Sequence, residues 1–246
     1  MFCTNCGFKI EAEDKFCQHC GFNLTDEEEL YQTGVNLLSN KKYDEAIEYL
    51  DKVLDINPHN LSAWLNKGDA LFELKEYVKA LNCYYTVVNN NSNFPNAWYN
   101  MGNTFAKIGN LKEALGCFNK AIELNPNFSL AYANKAKTLA SMNRLEESLI
   151  ASNKSLDLNP NNINTLFDKA NTLLELKEYN QALKVYNKVL DLDDNHYSAW
   201  YNRGIVLSKL KLYDEAIESF EKCLKINPKH KYASKYRDSI LKKYGK

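Results

Sequence analysis

Four cysteines near the start of the chain, Cys3, Cys6, Cys17 and Cys20, form two C-x2-C pairs ten residues apart, and each pair is followed at once by a glycine, Gly7 and Gly21. Two thiolates three residues apart can close on one tetrahedral ion, and a glycine after the second can adopt the left-handed conformation that turns its amide toward the sulfurs. The intervening GFKIEAEDKF has apolar ends around a polar centre, which suits a hairpin that carries the second pair back to the first. Phe8, Ile10, Phe16 and Phe22 are expected to pack around the site. About 24 residues cannot enclose a sufficient core, so the ion would supply the folding energy. Four thiolates complete a tetrahedron, which leaves His19 as a solvated residue of the knuckle. Zn2+ is the expected ion, with iron or a redox-active thiol pair as the alternatives for this donor set.

With these spacings, residues 1–24 resemble the short zinc-ribbon domains found at the start of many prokaryotic proteins, which implies a structural zinc site on Cys3, Cys6, Cys17 and Cys20. The alternative use of such a knuckle is contact with RNA or DNA. Against it, Lys9 and Lys15 are outnumbered by Glu11, Glu13 and Asp14. Thr25 followed by Glu28 reads as a capping box that opens a helix almost without a linker.

No other constellation carries chemistry. His59, His196 and His230 are isolated in predicted loops, and Cys83, Cys117 and Cys223 are single thiols on predicted helices, where a buried thiol acts as a small apolar side chain. Without a shared nucleophile, base or phosphate loop, an enzyme is not expected. The 246 residues carry a formal net charge of zero, which argues against a polyanion-binding protein. No apolar run reaches the roughly 20 residues of a spanning helix, and the first residues lack the layout of a signal peptide. A cytoplasmic protein is expected.

The elements that must position these residues follow a period of 34, with copies beginning at Glu27, Leu61, Pro95, Ser129, Ile163 and Tyr197. Position 4 of each copy is large (Leu30, Trp64, Trp98, Tyr132, Leu166, Trp200), position 8 is glycine or alanine, and position 20 is alanine or serine. Position 32 is proline in Pro58, Pro126, Pro160 and Pro228, which is expected to stop the second helix of each copy. A 34-residue unit with this large-small-aromatic-proline order resembles the tetratricopeptide repeat. The resemblance implies an all-α fold: a right-handed superhelical solenoid of six helical hairpins (27–60, 61–94, 95–128, 129–162, 163–196, 197–230). Residues 231–246 would add a capping helix whose stripe of Tyr232, Tyr236 and Ile240 covers the last repeat.

In that family the inner face of the first helices lines a groove that binds peptides. Here the implied positions carry Asn66, Asn100, Asn134 and Asn202 at position 6, Asn103, Lys137 and Asn171 at position 9, and Tyr99 and Tyr201 at position 5. Asparagine offers both donors and an acceptor, so such a ladder can grip an extended peptide backbone while the tyrosines supply flat apolar area. The expected partner is a protein or peptide, bound by a monomer, with nucleic acid and membrane disfavoured. Position 5 is never basic, which departs from the family members that hold the terminal carboxylate of chaperone tails. The fourth copy places Ser148, Ser152 and Ser155 where apolar residues are usual, which predicts a thinned core there.

Overall fold

The computed structural model describes residues 6–9, 11, 16–21 and 24–244, for 24–26 the backbone only. Among these it holds thirteen α-helices and no strand longer than a single bridge. The chain divides into two compact units, Met1–Asn125 and Pro126–Lys246.

In the first unit, α1 (Leu24–Ser39), α3 (Leu61–Glu73) and α5 (Pro95–Lys107) are the first helices of three hairpins completed by α2 (Tyr43–Ile56), α4 (Tyr77–Asn90) and α6 (Leu111–Leu124). Each helix packs on the next, and α3 also touches α1 and α5, so the three first helices run side by side. The second unit repeats this with α7 (Ser129–Ser141), α9 (Ile163–Glu175) and α11 (Tyr197–Lys209) as first helices. Their partners are α8 (Leu145–Leu158), α10 (Tyr179–Leu192) and α12 (Tyr213–Ile226), followed by α13 (Lys231–Tyr244). Here too α9 touches α7 and α11.

The large-small pattern is the packing code. Gly102 lets Phe118 lie flat against α5: a Cβ there would stand 2.6 Å from Phe118 Cε1, and the same holds for Gly68 under Tyr84 at 2.5 Å. Tyr84, Phe118, Tyr186 and Phe220, all at position 24, are the largest fully buried side chains. At position 4 each tryptophan is half-buried, and its Nε1–H donates to a carbonyl of the preceding loop: Trp64 to Pro58, Trp98 to Ser92 and Trp200 to Asp194.

Every turn inside a hairpin is the same. The residue at position 15 has positive φ in all six: Lys41, Lys75, Asn143, Lys177 and Lys211 at 58° to 65°, and Gly109 at 85°. Around Lys75 the amide of Lys75 donates to Phe72 O (2.9 Å) and that of Glu76 to Leu71 O (2.8 Å), and the other five turns repeat both bonds. This is the Schellman closure, which satisfies the last carbonyls of the first helix.

Helix ends correct three expectations. Proline is not the stop signal, because α4 and α10 end at position 30 like the others although Ser92 and Asp194 replace it. Position 31 is Asn57, Asn91, Asn125, Asn159, Asp193 or Asn227. Its φ lies between -125° and -148° and its ψ between 85° and 97° in every copy, outside the helical region; its amide closes on position 27, and three of its side chains accept the amide two residues on. Asn and Asp favour this local bond over helix continuation. Second, α1 already begins at Leu24, so Thr25 lies within it instead of preceding it; Glu28 accepts from Gln32 one turn on (2.7 Å). Third, on α13 the buried residues are Ala233 and Ile240, while Tyr232 is 67% exposed because it falls on the next face round. Tyr236 stacks on Phe220 at 5.9 Å and so shares in the cover.

The α7–α8 hairpin carries the thinned core. Ser148, Ser152 and Ser155 are buried, with Ser155 Oγ donating to Ser129 O (3.0 Å) and Ser152 where four of the other five repeats bury a ring. Hydroxyl bonds replace dispersion contacts here, and a neutral hydrogen bond is worth only about 1 kcal/mol net. Amide exchange is therefore expected to be faster over Leu145–Leu158 than over Leu111–Leu124. Equal protection of α8 and α6 in a native-state exchange experiment would show that the serines pack as firmly as Phe118.

Candidate functional site

Of the four cysteines, Cys3 lies outside the described residues; the other three come together. The Sγ atoms of Cys6, Cys17 and Cys20 all lie within 4.8 Å of one another, and Cys6 and Cys17 are 3.6 Å apart. A disulfide would require about 2.05 Å. Thiolates around a tetrahedral ion with metal–sulfur bonds of about 2.3 Å stand about 3.8 Å apart. The three described sulfurs therefore fit one tetrahedral ion. Gly7 and Gly21 both take φ of 72°, and the Gly21 amide closes on Cys17 O at 2.8 Å, which winds the second knuckle under the sulfurs. Lys9 and Phe16 each take part in a β-bridge, one on either side of the EAED segment.

The expected aromatic wrapping is incomplete. Cys17 is buried, yet Phe8 and Phe16 are 48% and 56% exposed, because so short a segment has no second layer to cover them. Phe8 instead stacks on the exposed His19, ring centroids 5.0 Å apart. Ile10 and Phe22 lie outside the described residues.

On the helices, the predicted asparagines are half-buried and several are already engaged. Asn66 donates to Tyr31 Oη (3.0 Å), Asn100 to Asp69 Oδ1 (2.7 Å) and Asn202 to Asn171 Oδ1 (2.8 Å). The acceptors at position 9 take a second bond from the buried tyrosine at position 24: Tyr84 to Asp69 (2.7 Å) and Tyr186 to Asn171 (2.6 Å). The tyrosine, the position-9 residue and the next repeat's asparagine thus form one clasp in each unit. Tyr99 leans on Phe118, and Tyr201 on Phe220 and His230. Asn103 lines the same hollow as Asn100, Lys137 is exposed on α7, and Asn134 O accepts from Thr138. His196 and His230, expected in loops, cap α11 and α13: Nδ1 of each accepts the amide of Ala199 or Ala233. Burial pushes the thiols of Cys83, Cys117 and Cys223 up to about 11, so these are inert packing groups.

The two clasps differ in one charge. Burial, with Glu73 adding to it, lifts Asp69 to about 6 despite the bonds from Tyr84 and Asn100. A folded-state pKa above the unfolded one favours folding at low pH. That contribution is complete below about pH 4 and vanishes as pH rises through 6. Asp69→Asn, which reproduces the clasp of Asn171, is expected to stabilise the protein at pH 7 by about 1–3 kcal/mol, the upper end being roughly two pKa units. It should also flatten the dependence of the melting temperature between pH 4 and 7. Thermal unfolding of both proteins across that range is the check, and equal stability at pH 7 would mean that the carboxylate is not penalised.

The geometry defines an all-helical array of repeated hairpins preceded by a cysteine knuckle. Family models carry the same division: tetratricopeptide-repeat models match residues 37–102, 95–128, 117–150, 152–184, 170–211 and 197–230, and a zinc-ribbon domain model matches 2–24. The chain belongs to the tetratricopeptide-repeat family and carries an N-terminal zinc-ribbon domain. Similar solved structures include pilF of Pseudomonas aeruginosa (18% identity, TM-score 0.77, 87% of this chain and 98% of that one). YrrB, described as a TPR protein with an unusual peptide-binding site, has 22% identity and TM-score 0.67 over 77% of this chain and 97% of its own. MamA has 20% identity and TM-score 0.63 over 66% and 95%. No curated protein matches the sequence. Among the described residues no helix is long and apolar enough to cross a membrane.

Proposed function

We propose that this chain is a non-enzymatic, cytoplasmic interaction scaffold in which the first helices of each unit bind a peptide segment or helix of a partner protein. Residues 1–24 form a structural ribbon on Zn2+ held by Cys3, Cys6, Cys17 and Cys20, residues 27–230 the six repeats, and 231–246 a closing helix. The observation that carries the reading is the adjacency of α1, α3 and α5, and of α7, α9 and α11, with half-buried asparagines and tyrosines on them. The binding residues would be Asn66, Tyr99, Asn100 and Asn103 in the first unit, and Asn134, Lys137, Asn171, Tyr201 and Asn202 in the second. Internal bonds use one N–H of Asn66, Asn100 and Asn202, and an amide side chain has a second N–H and carbonyl lone pairs to spare. The peptide-binding site named for YrrB supports the same reading by analogy of fold.

The test compares three proteins against peptides selected on the wild type from a random-sequence library. Each neutral hydrogen bond contributes about 0.5–1.5 kcal/mol, so Asn100→Ala/Asn134→Ala is expected to weaken binding roughly five- to a hundredfold. A chain starting at Leu24 should bind like wild type. If the truncation abolishes binding and the double variant does not, the ribbon is the recognition module. Binding that instead needs nucleic acid and collapses steeply with salt would favour the nucleic-acid reading.

A further inference from the structure

Between α3, α4 and α5 lies a cavity of about 260 Å³ lined by Asp69, Phe72, Glu73, Tyr84, Asn100 and Asn103. That is smaller than the usual site for a whole small molecule, and suits one long side chain. Asp69 and Glu73 are one helical turn apart, so both carboxylates reach it from the same face of α3. No ion pair among the described residues involves either of them.

The second unit shows two other solutions at corresponding places. Where α9 and α11 meet, Asn171 accepts from Tyr186 and Asn202, just as Asp69 accepts from Tyr84 and Asn100. A neutral amide is thus enough for the clasp, and the hydrogen bonds of the first unit do not require a charge. Where α7 and α9 meet, a cavity of about 220 Å³ again holds acidic groups, Asp168 and Glu175. There the chain supplies its own cation: Lys137, at the register position of Asp69, lines the cavity and eases the ionisation of Asp168. The α3–α4–α5 corner therefore carries a half-buried carboxylate whose charge the clasp does not need, beside a second carboxylate and with no lysine in the lining of the cavity.

We infer that this cavity receives a basic side chain, arginine or lysine, of the partner peptide, with Asp69 and Glu73 as counter-charges. The inference rests on the scaffold reading and specifies its partner. Phe72 offers a flat surface to the methylene stem, and Asn100, whose amide N–H is turned to Asp69, offers its carbonyl oxygen to the head. A cation would also relieve the mutual effect of Glu73 on Asp69, which at present adds to the burial that raises Asp69.

The test uses the full chain and the library-selected peptides. They are expected to share a basic residue, and its replacement by citrulline or acetyl-lysine should weaken binding tenfold or more. Glu73→Gln should weaken the same peptides about fivefold, and Asp69→Asn/Glu73→Gln more. Glu73 is exposed and in no ion pair among the described residues, so its single variant should fold like wild type and keeps the test valid if the double variant does not. Selected peptides that tolerate loss of the basic residue, or that bind Glu73→Gln unchanged, would overturn the inference and leave the scaffold reading standing. If the wild type enriches no peptide at all, both fall.

Discussion

Chelation of zinc is expected to unfold the cysteine knuckle while leaving the far-UV helical signal almost unchanged. The knuckle has one buried cysteine and two half-exposed phenylalanines in place of a core, whereas the helices bury their own apolar clusters. Structural zinc contributes on the order of 10–16 kcal/mol to folding such small units, and the ribbon has nothing else of that size. Elemental analysis of the purified chain should give about one zinc, and Cys17→Ser should remove it, since three ligands and a hydroxyl hold the ion far less well. Visible charge-transfer absorption would point to iron instead. A large loss of helicity on chelation would show that ribbon and helices fold as one.

Phe118→Ala is expected to cost about 3–5 kcal/mol, among the largest effects of a single truncation in the first unit. The ring is fully buried and lies on Gly102, which has no side chain to swing into the gap. Neighbouring backbone cannot collapse onto the space without breaking the α5–α6 packing, so most of the ring's volume should remain as a cavity. The check is denaturant unfolding, with the first transition at markedly lower concentration than in wild type. An unchanged midpoint would remove position 24 from the core.

The period, the helix pairs and the small residues at positions 8 and 20 were legible because burial is enforced in the same register six times. From the second copy on, each first helix begins at the residue that opens its copy, for the same reason. What escaped was the chemistry that runs between repeats. Tyr84 and Tyr186 have rings that core packing alone would account for, but each is matched by Asp69 or Asn171 fifteen residues earlier and completes a clasp reaching Asn100 or Asn202. Repeats with phenylalanine, serine or leucine at position 24 lack a hydroxyl there or, at Ser152, one long enough; Asn103 opposite Phe118 keeps the polar residue without the tyrosine, which hides the pairing from a comparison of positions 9 and 24. The helix stop was credited to a visible proline, while the residue shared by all six ends was the asparagine or aspartate beside it. In the ribbon, the spacing anticipated the meeting of Cys6, Cys17 and Cys20, but patterning alone overstated how far Phe8 and Phe16 could be buried by so little chain.

The six identical corners have a different consequence. Lysine in the left-handed region costs roughly 1 kcal/mol relative to glycine, and four of the six corners hold lysine there, one asparagine and one glycine. Local preference and the geometry demanded by packing disagree at the same place again and again, and packing prevails because the two helices it joins are held along their whole length. Drift is thus tolerated at the corners without loss of shape. It also leaves a distributed reserve: the array could be hardened step by step at its corners, none of which holds a residue assigned to binding.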